Sequence, residues 1–204
     1  MRFVLPMILF ALLAPSAYAY PKLPNPLPPV KGNPADALVD LPIEDSTYDG
    51  AVKCKNRRSA GITALADWLG ENTRGAFWGS YRCEKWGKHS ASLHAENRAI
   101  DWHLDAFNRA DRRAAEKLIR LLLAPDAAGN PQALARRMGV EELIWDCGYW
   151  SAGMWQFSEY GPCYGKRGKL KRKVNPTIAH RDHVHIGMTK RGAAARTSFW
   201  SRGR

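Results

Sequence analysis

The sequence predicts a single α+β domain, an antiparallel sheet flanked by helices, on three observations. Short stretches of strand character are interleaved with helices, without the strand–helix–strand rhythm of a parallel sheet. Hydrophobic residues make up 45% of the 204-residue chain, which excludes a wholly disordered polypeptide. No glycine period and no sustained heptad is present, so collagen-like and coiled-coil architectures fail as well. A domain of roughly 150 residues buries about two-thirds of its unfolded surface, enough for one proper core.

Residues 1–19 read as a secretory signal. Arg2 is a short positive start, Phe3 to Ala14 is apolar, and Ala17-Tyr18-Ala19 is a small-residue cleavage site. The apolar run is too short for a membrane span, which needs about 20 residues. The mature chain is therefore expected to be secreted or extracytoplasmic, with no transmembrane segment. Residues 20–44 are proline-rich (PKLPNPLPPVKGNP, then Leu41-Pro42) and read as an extended leader or linker laid outside the fold. The compact domain is expected over residues 45–204.

Within that domain, Ile62 to Leu69 has apolar residues at helical spacing, with Gly70 as its C-cap. Ala99 to Leu104 reads as a strand. Asn108 to Ala124 is the clearest helix: Asn108 or Asp111 caps it, Ala114, Leu118, Leu121 and Leu122 form its apolar stripe, and Pro125 stops it. Pro131 to Met138 is a second helix, with proline in its first turn and Gly139 after its end. Glu142 to Asp146 and His183 to Met188 read as strands separated by an aromatic-rich loop.

Export gives Cys54, Cys83, Cys147 and Cys163 a meaning. An even number of cysteines in an oxidising compartment points to disulfides, and no C-x-x-C pair suggests a thiolate metal site. Pairing Cys54 with Cys83 and Cys147 with Cys163 closes two modest loops and is favoured among three connectivities.

The 31 Lys and Arg against 19 Asp and Glu give a formal charge of +12. This charge is dispersed except for residues 166–173 (KRGKLKRK), a run that ordinarily forms a solvated loop. For an exported protein, the anionic partners to expect are cell-surface polymers or membrane rather than nucleic acid.

Two stretches carry chemistry: Ser92 to Trp102 (SLHAENRAIDW) and His180 to His185 (HRDHVH). In a strand, residues i and i+2 face the same way, so His183 and His185 project together. His94 and Asp101, brought alongside, add a nitrogen and an oxygen. Two imidazoles and a carboxylate with a fourth position open make a catalytic zinc arrangement. Zinc lowers the pKa of water and polarises a carbonyl, and a spare histidine can act as general base and then protonate a leaving amine. His89 and His103 have no evident partner and read as surface histidines.

Ser92-x-His94-x-x-Asn97-x-Ala99-x-Asp101 resembles the S-x-H-x-x-G-x-A-x-D motif of the zinc D-Ala-D-Ala peptidases. That group comprises secreted D-Ala-D-Ala carboxypeptidases and vancomycin-resistance D,D-peptidases. It shares a fold with lysostaphin-type and penicillin-insensitive murein endopeptidases. His180 to His185 resembles the family's H-x-x-H-x-H ending, and Gly79-Ser80-Tyr81-Arg82-Cys83 is similar to the S-G-Y-R-S segment before the first motif. The three matches lie in order between Gly79 and Gly187.

The resemblance implies Zn2+ held by His94, Asp101 and His185, with His180 as general acid/base and His183 orienting substrate or water. It implies that Arg82 faces a substrate carboxylate or the developing oxyanion, with Arg74 and Arg98 as rivals for that role. Ser92 would hydrogen-bond either the substrate or the loop that carries His94. The implied activity is hydrolysis of a peptide, with peptidoglycan as the expected substrate class, by a monomer. A catalytically silent relative that grips cell-surface polymer is the alternative.

Asn97 departs from the family's glycine but also tolerates a left-handed φ. Asp146 to Lys173 has no counterpart in the family. Its Trp150, Trp155, Phe157, Tyr160 and Tyr164 either wall a cleft or pack on the core behind Cys147–Cys163.

Overall fold

The structure is a computed structural model that describes residues 23–57 and 59–201. The signal segment read at residues 1–19 lies outside the described residues, as does the start of the leader.

In chain order the elements are α1 (Ala60–Asn72), β1 (Ala76–Gly79), β2 (Lys85–Gly87), β3 (Ser90–Ala91), β4 (Ala99–His103), α2 (Arg109–Leu123), α3 (Ala133–Met138), β5 (Val140–Trp145), β6 (Gly148–Ser151), β7 (Ser158–Glu159), β8 (His183–Met188) and α4 (Lys190–Ala193). One antiparallel sheet runs in the order β1-β4-β8-β5-β6-β7, and β2 pairs with β3 in a separate hairpin. The domain is α+β, as its pattern of strands and helices predicts.

The two-residue period of the strands decides where everything else sits. Ile100 and Trp102 of β4, Leu143 and Trp145 of β5, and Val184, Ile186 and Met188 of β8 enter one core with the apolar faces of α1, α2 and α3. The alternate positions, Asp101, Glu142, His183 and His185 among them, are left for the other face. Burying one Leu, Ile or Val contributes about 1.5–3 kcal/mol, so a one-residue register slip, which would reverse the faces, is strongly opposed.

Several boundaries differ from expectation for local reasons. Helix α1 runs through Gly70 and ends at Asn72, where the Thr73 N–H bonds the Leu69 carbonyl. Helix α2 begins as expected, with Asn108 Oδ1 accepting the N–H groups of Ala110 and Asp111. Its buried stripe, however, is Ala115, Leu118, Ile119, Leu122 and Leu123, so Ala114 and Leu121 only flank the core. Helix α3 starts at Ala133 rather than Pro131, and Gly139 closes it in the left-handed conformation. The stretch after β5 is not only loop, because it adds β6 and β7 to the sheet.

The leader expected outside the fold is corrected from Leu23 onward, since Leu23 and Leu27 already pack partly buried against the core. Pro34–Leu38 forms a 3-10 turn capped by the Asn33 side chain, and Ala35 and Leu38 are buried. Asp36 Oδ1 accepts the Ala127 N–H at 2.8 Å, and Arg136 Nε donates to the Glu44 carbonyl at 2.6 Å. Proline content rigidified this segment without removing its apolar side chains, and the folded domain supplies partners for its backbone.

Cys54 pairs with Cys83 and Cys147 with Cys163. Among the described residues, no helix is long and apolar enough to cross a membrane.

Arg98 is buried and clamps four chain segments. It donates to Glu96 at 3.1 Å, Glu141 at 2.8 Å, the Met188 carbonyl at 2.6 Å and the Asp49 carbonyl at 2.5 Å. Glu141 is fully buried and also accepts the Asp49 N–H. Burial lifts its carboxyl pKa to about 7, against the opposing pull of the Asp49 N–H and Arg98.

A carboxyl pKa raised from 4.5 in the unfolded chain binds its proton more tightly in the folded state. Its stabilising contribution is complete below 4.5 and is lost as pH rises through about 7. The Tm is therefore expected to fall between about pH 5 and pH 8, and to fall less in Glu141→Gln. Parallel Tm–pH curves for the two proteins would remove Glu141 as the cause.

Candidate metal centre

In the β4–β8 ladder, Asp101 lies directly opposite His185 and His103 opposite His183, so their side chains share the open face of the sheet. His94 arrives from outside the sheet, on the 3-10 turn Leu93–Glu96. Ser92 Oγ accepts the His94 N–H at 3.3 Å and starts that turn. Asn97, at φ 55°, closes it in the left-handed conformation that asparagine tolerates. Close approach of the turn to the sheet depends on Gly187. A Cβ there would fall 2.3 Å from Leu93 Cδ1.

Three donor atoms converge. His94 Nε2 is 2.9 Å from Asp101 Oδ1 and 3.0 Å from His185 Nδ1, and His185 Nδ1 is 3.3 Å from Asp101 Oδ1. The other ring nitrogens decide what these atoms carry. His94 Nδ1 meets the Ser80 carbonyl at 3.1 Å, which can only accept, so Nδ1 holds the proton and Nε2 offers a lone pair. His185 Nε2 donates to Glu142 Oε1 at 3.1 Å, leaving Nδ1 to face the centre.

Lone pairs and a carboxylate oxygen packed this closely repel unless a cation sits among them. Without a metal, a proton takes that place. Burial opposes charge on His185, but the hydrogen bonds to Asp101 and Glu142 win and lift its pKa to about 9. Burial also opposes charge on Asp101, yet the imidazoles of His185 and His94 hold its carboxyl far below the usual carboxylate range. Burial keeps His94 below the ordinary histidine value and thus neutral. His94, Asp101 and His185 form a buried group able to bind a metal ion, and the donor set fits the two-imidazole, one-carboxylate pattern.

The carboxylate that orients His185 was not singled out by sequence reasoning. Glu142 accepts from His185 and from the hydroxyls of Tyr48 and Tyr149, each at 3.3 Å, and these hold its pKa down against burial. Such a partner fixes ring orientation and raises ligand basicity. Glu142→Gln is expected to weaken metal binding about 10–100-fold, read by chelator competition, with the fold intact. The sequence shows only two adjacent acids, Glu141 and Glu142, ahead of an apolar run.

His183 and His180 stand beside the centre. His183 Nδ1 donates to Asp182 Oδ1 at 2.7 Å, which aims its Nε2 toward Asp101 Oδ1 at 3.5 Å. Asp182 also accepts from Thr177 Oγ1 at 2.5 Å, so the whole H-R-D-H stretch is tied together. The His180 ring lies 4.7 Å from that of His183 and 5.8 Å from that of His185. Its Nδ1 meets the Ile178 carbonyl at 3.2 Å, which leaves Nε2 as a lone pair. Burial, with the charges of His185 and His183, pushes the His180 pKa well below the usual value. Burial likewise lowers that of His183, against Asp101 and Asp182.

The loop bearing His180 is held by the β5–β6 turn. The N–H groups of Asp146 and Cys147 donate to the carbonyls of His180 and Ala179, each at 2.8 Å, and Arg181 donates to Asp146 Oδ1 at 2.8 Å. Tyr160 packs edge-on against His180 at 5.1 Å. The aromatic segment thus divides its roles: Trp150 and Phe157 join the core, Tyr160 borders the site, and Trp155 is exposed.

A cleft of about 280 Å³ opens over the group, lined by Trp78, Tyr81, Arg82, His94, Asp101, Thr177 and His183 among others. Arg82 reaches Asp101 Oδ2 at 3.4 Å and Glu84 at 3.2 Å while its side chain remains 56% exposed. Its two rivals are otherwise engaged. Arg74 pairs with Asp111 at 2.8 Å, and Arg98 is the buried clamp. Ser92 is buried and caps the His94 turn, so its hydroxyl serves that loop rather than a substrate. His103 lies on the site face under Trp78, with ring centroids 5.1 Å apart, and bonds the Asp182 carbonyl.

No protein-family model, curated protein or solved structure matches this chain. The functional reading therefore stands on the geometry of the site.

Proposed function

We propose that the chain is an exported zinc-dependent peptidase acting on cell-wall-type peptides. The observation that carries this reading is the convergence of three metal-competent donor atoms beside two histidines kept neutral, under an arginine-edged cleft. His94, Asp101 and His185 would hold the ion. Bound there, zinc supplies Lewis acidity, lowering the pKa of water and polarising a carbonyl.

The chain's own residues do the rest. His180 Nε2, unprotonated at neutral pH, accepts the proton that the attacking water loses and returns it to the departing amine. His183, locked by Asp182, keeps a second imidazole edge beside that path and orients water or substrate. Arg82 offers a fixed cation to a peptide carboxylate or to the oxyanion formed on attack. Trp78 packs beside His183, with ring centroids 5.6 Å apart, and walls that side of the cleft. The two disulfides suit an oxidising, extracytoplasmic compartment.

The test is turnover of peptidoglycan fragments by zinc-loaded protein. His180→Ala is expected to lose about 10²–10⁴-fold in kcat/KM with its zinc content unchanged. Zinc-loaded wild type that cleaves none of the fragments would point to a catalytically silent binding module.

A further inference from the structure

A second cavity, of about 690 Å³, lies at the sheet end where β4 begins and β8 finishes. It is lined by the 52–60 segment, by Glu96 and Arg98, and by residues in and after α4. Its rim is basic. Lys53, Lys55, Arg57 and Arg196 are exposed there and form no ion pair among the described residues. Lys190, also on the rim, is paired with Asp49. On the floor, Arg98 is already balanced by Glu96 and Glu141. Four positive charges are therefore left facing one opening.

The backbone adds to the same sign. Helix α1 starts at this rim, its N-cap Ser59 makes no side-chain capping bond, and its first turn holds no acidic residue. The positive end of a 13-residue helix thus points to the cavity without the carboxylate or capping oxygen that usually answers it. Like charges gathered on one rim repel each other, and among the described residues the one acid lining the cavity, Glu96, is already paired with Arg98. An anion that accepts several hydrogen bonds at once would relieve both the cations and the helix end. A phosphate group does so with its several acceptor oxygens, whereas a lone carboxylate has fewer.

We propose that this groove binds phosphate groups, whether of a lipid headgroup or of a soluble phosphate ligand. It is separate from the histidine cleft yet mechanically close to it. Cys54, between two of the rim lysines, is disulfide-bonded to Cys83, the neighbour of Arg82. The Lys55 N–H donates to the carbonyl of Ala95, the neighbour of His94, at 2.6 Å. The proposal does not depend on the peptidase reading.

The test is calorimetric titration of the full chain with inorganic phosphate, run with and without chelator to separate binding at the histidines. Saturable binding that persists in chelator is expected, weakened at least about tenfold in Lys55→Glu/Arg57→Glu. The same charge reversal on the basic loop, Lys169→Glu/Lys173→Glu, is expected to leave it within about twofold, because those charges lie outside the groove. Co-sedimentation with phosphatidylglycerol vesicles then separates the sources. Retention by wild type but not by the groove variant assigns the lipid headgroup, and phosphate binding without vesicle retention assigns a soluble phosphate ligand. Absence of phosphate binding in chelator, or phosphate or vesicle binding unchanged by the groove substitutions, overturns the proposal.

Discussion

Elemental analysis of the purified protein is expected to return about one zinc per chain, and none in His94→Ala, Asp101→Ala or His185→Ala. Each substitution removes one of the three converging donor atoms. In Asp101→Ala the two imidazoles keep the partners that aim them at a metal, since Ser80 still accepts from His94 and Glu142 from His185. The proton that His185 retains in the empty group competes with the ion, so zinc uptake is expected to release it. A ligand at a thousand times its Kd stabilises the folded state by about 4 kcal/mol. For a domain of this size that raises the Tm by roughly 10 °C, and chelation lowers it by the same amount. Folded wild type that takes up no zinc when it is offered would end the metallopeptidase reading.

Arg98→Ala is expected to cost about 3–5 kcal/mol, because it leaves the buried carboxyl groups of Glu96 and Glu141 without the cation they share. The Met188 and Asp49 carbonyls lose their donor in the same step. The damage reaches the metal group, since Arg98 follows Asn97 and fixes the turn that delivers His94. Zinc affinity and Tm should therefore fall together. Arg82→Ala is the contrast. Its side chain is largely exposed, so stability should change by less than about 0.5 kcal/mol while turnover falls. Denaturant unfolding of the two variants separates the arginines, and equal losses of stability would refute the assignment. Adding Glu141→Gln to Arg98→Ala is expected to restore part of the stability, because only one of the two acids that faced Arg98 then remains.

Much of the site could be read from the chain because its residues are close in sequence or follow a fixed period. His183 and His185 are two apart on a strand, so they share a face wherever that strand lies. Asp101, an acidic residue within an apolar strand, stood out in the same way. Glu142 did not, because its role depends on β5 lying beside β8, a neighbour 43 residues away in the chain. Asp182 was hidden between two histidines and reads as a spacer until its carboxylate is found on His183. The leader misled for a related reason, since composition reports the stiffness of a segment but not whether a folded surface accepts it.

The sequence by itself determined the α+β pattern, the strand faces, the cap of α2 and the candidate ligands. The first three follow from local periodicity and side-chain chemistry, which travel with the residue, and the ligand set follows from the resemblance of the two histidine-bearing stretches to a known motif. Only the tertiary structure decided which arginine is a buried clamp and which edges the cleft, which ring nitrogens carry lone pairs, and where unpaired cations collect. Those outcomes depend on burial and on partners from distant segments. A guanidinium in water and one sealed against Glu141 are the same residue in the sequence and different chemical groups in the fold.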